Sequence, residues 1–296
     1  MSQTLIEQVL KLSLFFCILM NSHNTTVFLV DNGSLRAAST LMLRQLACQL
    51  QARIHYKVEA VSLLHSHKVE PASLDGLGAT IVRRRLLELI DLGQREIVIL
   101  PFFLGPSLAI VDYLPKLLAE ARELCPDLEV HVAPPLAGVY SGVPDPRLAE
   151  ILADGVRIQV ERHQLRNFQV ALVDHGTPAE AVNAVRNAVA QQLSALLDRQ
   201  VLPCSMERRP GDAYAFNEPL LENLASQPEM MEAQAIVLAM FFLLPGRHAG
   251  ADGDVAQICE AMGMSSTIHR SELMASHPTL IDILQDRFHS CVPIEL

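Results

Sequence analysis

Three side chains stand where the chain can bring reactive groups together. His175 directly follows the apolar phrase Phe168 to Asp174 (FQVALVD), His248 follows FFLLPGR, and Glu207 follows the short apolar run VLPCSM. Imidazole is neutral near pH 7 and can either accept a proton or give a lone pair to a metal, and a carboxylate adds an oxygen ligand. Two imidazoles and a carboxylate in one cleft therefore suit two related tasks: holding a divalent first-row metal, and taking protons from a weakly acidic N–H. Metal insertion into a tetrapyrrole needs both, because the pyrrole protons must leave as the ion enters. A lone histidine after a strand is more often a turn residue than a ligand. Two at equivalent strand ends, one of them inside Gly-Arg-His-Ala-Gly, make a site hypothesis. Glu218 is the alternative carboxylate, and Asp252 and Asp254 can orient the His248 ring or cap the helix that follows. His277 is expected to be structural. His65 and His67, read as lying on a strand with both rings on one face, form a weaker candidate metal pair.

The elements that must position these residues follow from the pattern of apolar runs. From residue 26 onward, such runs bounded by turn residues alternate with helical-period segments, the signature of βαβ units and a parallel sheet. The reading places strands at Thr26 to Asp31, Lys57 to Leu64, within REIVILPFFL and within DLEVHVAPPL. Helices are placed at about Leu35 to Gln51, from Leu74 to a capping Gly93, over LPKLLAEARELC, and over a closing segment beginning PDPRLAEIL. The same phrases then return in order. FQVALVD repeats TVFLVD, His175-Gly176-Thr177 replaces Asn32-Gly33-Ser34, EAQAIVLAMFFLLPG repeats REIVILPFFLGP, and TLIDIL repeats RLAEIL in the closing helix. Matching landmarks in register mean duplication. The expected architecture is α/β, with two tandem units at 25–163 and 164–296, each a small parallel sheet flanked by helices. An N-terminal extension, residues 1–24, is read as outside the fold. Ligands of open parallel sheets bind beyond the carboxyl ends of the strands, so His175 and His248 should emerge at one edge.

Composition excludes other classes. The formal net charge is −10 with no basic run, and there is no Trp, so neither a phosphate-binding footprint nor a base-stacking platform exists and no nucleic-acid partner is expected. No GxGxxG or GxxxxGK[ST] follows a strand, which argues against a nucleotide cradle. The six cysteines are scattered singly and read as reduced thiols. The apolar stretch LSLFFCILM near the N-terminus lacks a cleavage site and is too short to span a bilayer, so a cytoplasmic location with no membrane association is expected.

Together, the Asp-His-Gly-Thr after a first strand, the buried strand running into Phe-Phe-Leu-Leu-Pro-Gly-Arg-His, and the closing Pro-x-Leu-x-x-Ile-Leu helix resemble the sirohydrochlorin chelatase family, the CbiX/SirB class II chelatases. The resemblance covers nearly the whole chain from about Thr25. It implies ATP-independent insertion of Co²⁺ or Fe²⁺ into sirohydrochlorin, on the way to cobalamin or siroheme. The metal is then a substrate, with no permanently bound cofactor. His175 and His248 would be metal ligands and proton acceptors, with Glu207 assisting both roles. The first copy departs from the pattern: Asn32 replaces the histidine of His-Gly-Ser, and the position matching His248 lies close to Leu108. An amide cannot take a proton at neutral pH and leucine can do neither job. The resemblance therefore implies an internal pseudodimer, monomeric in solution, with one working site in the second copy. Sirohydrochlorin is rich in carboxylates, and on a chain of net charge −10 local cations must bind them; the candidates are Arg247, Arg208, Arg209 and Arg36. The competing reading is a tetrapyrrole or metal carrier without turnover.

Overall fold

The computed structural model describes residues 25–138, 142–263 and 267–292. The expected extension 1–24 lies outside the described residues. The repeated apolar runs form two parallel four-stranded sheets. The first contains β1 (Thr25–Asp31), β2 (Lys57–Ser62), β3 (Glu96–Pro101) and β4 (Glu129–Val132) in the order β2-β1-β3-β4. The second contains β5 (Phe168–Asp174), β6 (Val201–Ser205), β7 (Ala235–Met240) and β8 (Ile268–Arg270) in the order β6-β5-β7-β8. In each sheet the chain leaves the first strand in one direction and later crosses to its other side. The carboxyl ends of β1 and β3, and of β5 and β7, therefore flank a topological switch point, where an open sheet forms its crevice.

Seven α-helices are described: α1 (Ala37–Ile54), α2 (Val82–Asp91), α3 (Leu114–Leu124), α4 (Arg147–Arg162), α5 (Glu180–Leu197), α6 (Asp254–Ala261) and α7 (Thr279–Cys291). The central strands are buried on both faces, and their side chains alternate with the two-residue strand period. Val27, Leu29, Val98 and Leu100 face one core, while Phe28, Val30, Ile97 and Ile99 face another beneath α2 and α3. The closing helices are exchanged. Helix α4, which ends the first copy, packs on β7 beside α5, and α7, which ends the second, packs on β3 beside α1. Leu148, Leu152, Leu280, Leu284 and Phe288 thereby join the inner faces of both sheets in one core. The Arg53–Asp282, Arg147–Asp286 and Arg287–Asp145 ion pairs, at 3.0, 2.7 and 2.7 Å, tie the copies together outside it. Each sheet thus needs the other copy's helix to bury its face, which fixes the geometry of anything that lies between them.

Several boundaries differ from the sequence expectation. The helix expected from Leu74 begins at Val82, because Asp75 and Gly76 adopt left-handed backbone and Ile81 is extended and bridges to Ser62, whose N–H donates to the Thr80 carbonyl. Its end is as expected: Gly93 (φ +84) closes a Schellman cap, with Gly93 N–H bonded to the Ile90 carbonyl and Gln94 N–H to that of Leu89. Strand β2 stops at Ser62, so His65 and His67 lie in a turn and do not share a strand face. Strand β4 stops at Val132, ahead of the Pro134-Pro135 pair that cannot continue it. In the second copy the place of α2 between β6 and β7 is taken by two 3₁₀ turns, Asp212–Asn217 and Leu221–Ser226. Among the described residues no helix is long and apolar enough to cross a membrane.

Candidate active site

His175 is the first residue beyond β5, and the turn that carries it depends on a glycine. Gly176 has φ +90, and a Cβ there would overlap the Glu207 carbonyl, so the two chain segments can cross only at a glycine. That crossing brings Glu207, two residues past β6, against His175: Glu207 N–H donates to the His175 carbonyl at 3.2 Å, and Glu207 Oε1 lies 3.3 Å from His175 Nε2. His248 arrives from the loop after β7, held where Gly253 packs against its carbonyl. The two imidazole rings stand 4.4 Å apart, centroid to centroid, tilted by 50°. The strand ends therefore bring His175 to His248 and Glu207 to His175, while Glu218 pairs with Arg208.

The hydrogen bonds define the tautomers. Carbonyl and carboxylate oxygens only accept, so the His175 Nδ1–H donates to the Gly176 carbonyl at 3.0 Å and the His248 Nδ1–H donates to Asp254 Oδ2 at 2.7 Å. In the Nδ1–H tautomer each ring keeps a lone pair on Nε2, that of His175 with Glu207 Oε1 3.3 Å away. A carboxylate behind an imidazole is the usual support of a metal-binding histidine, since it fixes the ring and raises its basicity. Asp254 sits in the first turn of α6, where the helix favours its negative charge, and it also pairs with Arg247 Nε at 3.4 Å. Burial, then the neighbouring His248, push His175 below the ordinary histidine value, with Glu207 pulling the other way. His175 is therefore neutral at pH 7. Among the described residues no group of three or more His, Cys, Asp or Glu side chains is placed to hold a metal ion.

Both copies line the cavity in front of these rings, whose volume is about 1270 Å³. That exceeds the roughly 300–1,000 Å³ of most small-molecule pockets. The second copy contributes His175, His248, Asp252, Asp254 and the Phe241–Leu244 run; the first contributes Asn32, His65, the Phe102–Leu104 run and Leu108. Arg36, Arg209 and Arg247 are its cations. Arg208 does not fit its expected place. Its guanidinium is spent on Glu218 at 2.6 Å and on the carbonyls of Arg209 and Gly211, and it is not among the lining residues. The pair of charges in the 207–218 segment satisfies itself locally. His277 accepts the Thr279 N–H at the start of α7 and pairs with Asp154 of α4 at 3.5 Å, a contact between the copies.

The CbiX family model matches residues 26–158 and again residues 169–291. The chain belongs to the CbiX family. A search of curated proteins returns no match. Among solved structures, this CbiX-family chain is similar to SirB from Bacillus subtilis with Fe³⁺ (TM-score 0.64, 12% identity, 91% of this chain and 96% of that one). It is likewise similar to the sirohydrochlorin chelatase SirB from Bacillus subtilis subspecies spizizenii in complex with cobalt (TM-score 0.64, 13% identity, 90% and 95%). CbiX, described as the terminal enzyme for biosynthesis of siroheme in denitrifying bacteria, aligns with TM-score 0.53 at 16% identity over 90% and 99% of the two chains. At such identities these likenesses establish the shared fold.

Sequence reasoning missed what lies beneath His175. Arg186 of α5 is 2% exposed and reaches Ser205, the Asn217 carbonyl at 3.2 Å and Asn187 Oδ1 at 2.9 Å. Ser205 Oγ–H donates to Asp174 Oδ1 at 2.6 Å, and Asn217 brackets Thr177 through two bonds of 3.0 Å. An arginine inside an apolar helix phrase (EAVNAVRNAVA) facing the core was the available signal, because such a charge is buried only when its donors are used.

Proposed function

We propose that this chain inserts a divalent metal, Co²⁺ or Fe²⁺, into sirohydrochlorin in the cavity between its two copies, as an ATP-independent chelatase. The observation that carries this reading is the His175–His248 pair at the cavity, with each Nδ1 held by an acceptor and His175 Nε2 backed by Glu207 at 3.3 Å. A neutral Nε2 can hold the incoming ion briefly and can accept a proton as a pyrrole N–H is lost; a loosely held ion is also one that can be handed on. Glu207, against His175 Nε2, accepts the proton onward toward solvent. Arg36, Arg209 and Arg247 offset the substrate's carboxylates, with bidentate pairing as the expected mode. The structural likeness to a sirohydrochlorin chelatase solved with cobalt supports the substrate class. In this reading no cofactor is permanently bound, the protein works in the cytoplasm as a monomeric pseudodimer, and the first copy serves as a wall.

The test is anaerobic addition of Co²⁺ or Fe²⁺ to purified sirohydrochlorin, followed by absorbance. Wild type should accelerate insertion over the metal-only blank, and His175→Ala and His248→Ala should each lower the rate by about 10²–10⁴, the usual contribution of a positioned acid–base group. Binding of sirohydrochlorin with no acceleration would replace this reading with that of a carrier.

A further inference from the structure

The two copies are most informative where their long helices superimpose. Helices α1 and α5 both have 18 residues, and counted from their first residues Leu43 and Arg186 hold the same position. Both are buried. In the second copy, Arg186 donates to Ser205, whose hydroxyl donates to Asp174 Oδ1, the same oxygen that accepts the Gly176 N–H at 3.1 Å. Arg186 also donates to the carbonyls of Asn217 at 3.2 Å and Phe216 at 3.3 Å. It thereby fixes the 3₁₀ turn whose Asn217 side chain accepts the Thr177 N–H and donates to the Thr177 carbonyl, both at 3.0 Å. One guanidinium thus anchors both groups that clamp the turn, Asp174 at Gly176 and Asn217 at Thr177. The Gly176 carbonyl positioned by that clamp is the acceptor that fixes the His175 ring. In the first copy Leu43 offers no donor, and Asp31 Oδ1 is buried without a partner.

We infer that Arg186 is the positioning residue of the site: through Ser205–Asp174 and through Asn217 it holds the His175–Thr177 turn so that His175 keeps Nδ1–H bonded to Gly176 and Nε2 beside Glu207. The inference rests on the proposed chelatase reading for its kinetic consequence, but not for its structural one. With Leu43 at the position of Arg186 and Asn32 at that of His175, placing a histidine at position 32 would not by itself give a positioned ring.

The tautomer can be read without substrate. Long-range ¹H–¹⁵N correlation of the imidazoles, with His175 assigned by comparison with His175→Ala, should show the Nδ1–H form in wild type. It should show a mixture of tautomers in Arg186→Leu and in the charge-free pair Asp174→Asn/Arg186→Leu, which avoids leaving a buried carboxylate unpaired. In the insertion assay kcat should fall on the order of 10–100-fold, as for other groups that orient a ligand, with KM within about twofold, and Arg186→Lys should recover part of the loss. A folded Arg186→Leu or double variant that keeps the Nδ1–H tautomer would overturn the inference, as would loss of kcat only in proportion to loss of folded protein. Were wild type to insert no metal, the proposed function would fall while the tautomer comparison still decided the role of Arg186.

Discussion

The turns after β1 and β5 share a backbone and differ in chemistry. Asp31-Asn32-Gly33-Ser34 and Asp174-His175-Gly176-Thr177 each put a glycine of φ near +90 against a carbonyl, that of Leu64 or of Glu207. In both, the residue after the strand accepts a backbone hydrogen bond from the crossing segment, from Leu64 or from Glu207. At the next strand end the matching positions are Ala109 and His248, and at the crossing segment Leu64 and Glu207. Each of His175, Glu207 and His248, the side chains proposed to handle protons or metal, has a neutral or apolar counterpart in the first copy. The scaffold constrains the glycine and the crossing carbonyl whether or not the site works, whereas the imidazoles are needed only where chemistry occurs. The two copies thus share a fold and a turn geometry, and differ in the side chains they bring to the cavity that both line.

Asp254 sharpens the comparison first, since the first copy has no such partner because it has no histidine to orient. Asp254→Asn should reduce insertion by about 10–100-fold, the usual cost of removing the group behind a metal-binding imidazole; steady-state rates for folded protein check this.

Asp31 tests the first copy. Burial pushes its carboxyl up to about 6 from the ordinary 3.8, against the pull of Ser62 and the Gly33 N–H. The folded state thus binds this proton more tightly than the unfolded chain, stability falls as pH rises from 3.8 through 6, and the full cost persists above. Asp31→Asn should therefore stabilise the protein at pH 8 by about 3 kcal/mol and change little at pH 4, measured by denaturant unfolding at both values. A stabilisation that does not depend on pH would mean that Asp31 is not the strained group. The smallest effect is expected at the exposed cavity cations. Arg36→Ala should raise KM by up to roughly tenfold with kcat kept, the loss of one charge-assisted hydrogen bond to substrate, and added salt should narrow the difference.

How much of this was legible in the sequence follows from what each residue answers to. The duplication, the strands themselves and the meeting of His175 with His248 could be read because apolar periodicity and strand-end position are local signals. The choice of Glu207 over Glu218, and the withdrawal of Arg208 from the cavity, depended on a chain crossing at Gly176 and on a local ion pair, neither of which leaves a periodic trace. The exchange of α4 and α7 was invisible for a related reason: an amphipathic closing helix carries the same apolar face whichever sheet it covers. Arg186 shares the stripe of Val189, Ala190 and Leu193 in the sequence, but its partners Ser205 and Asn217 come from distant segments and leave no periodic trace.

The most direct test of the central claim, one working site in the second copy, is to make that copy resemble the first at a single atom-bearing position. Catalysed Co²⁺ insertion into sirohydrochlorin would be compared among wild type, His175→Asn and Asn32→Ala under anaerobic conditions. The account predicts acceleration by wild type, the rate of the metal-only blank for His175→Asn, and a rate within about twofold of wild type for Asn32→Ala, a residue at a position without acid–base capacity. Catalysis surviving in His175→Asn, or lost in a folded Asn32→Ala, would contradict it.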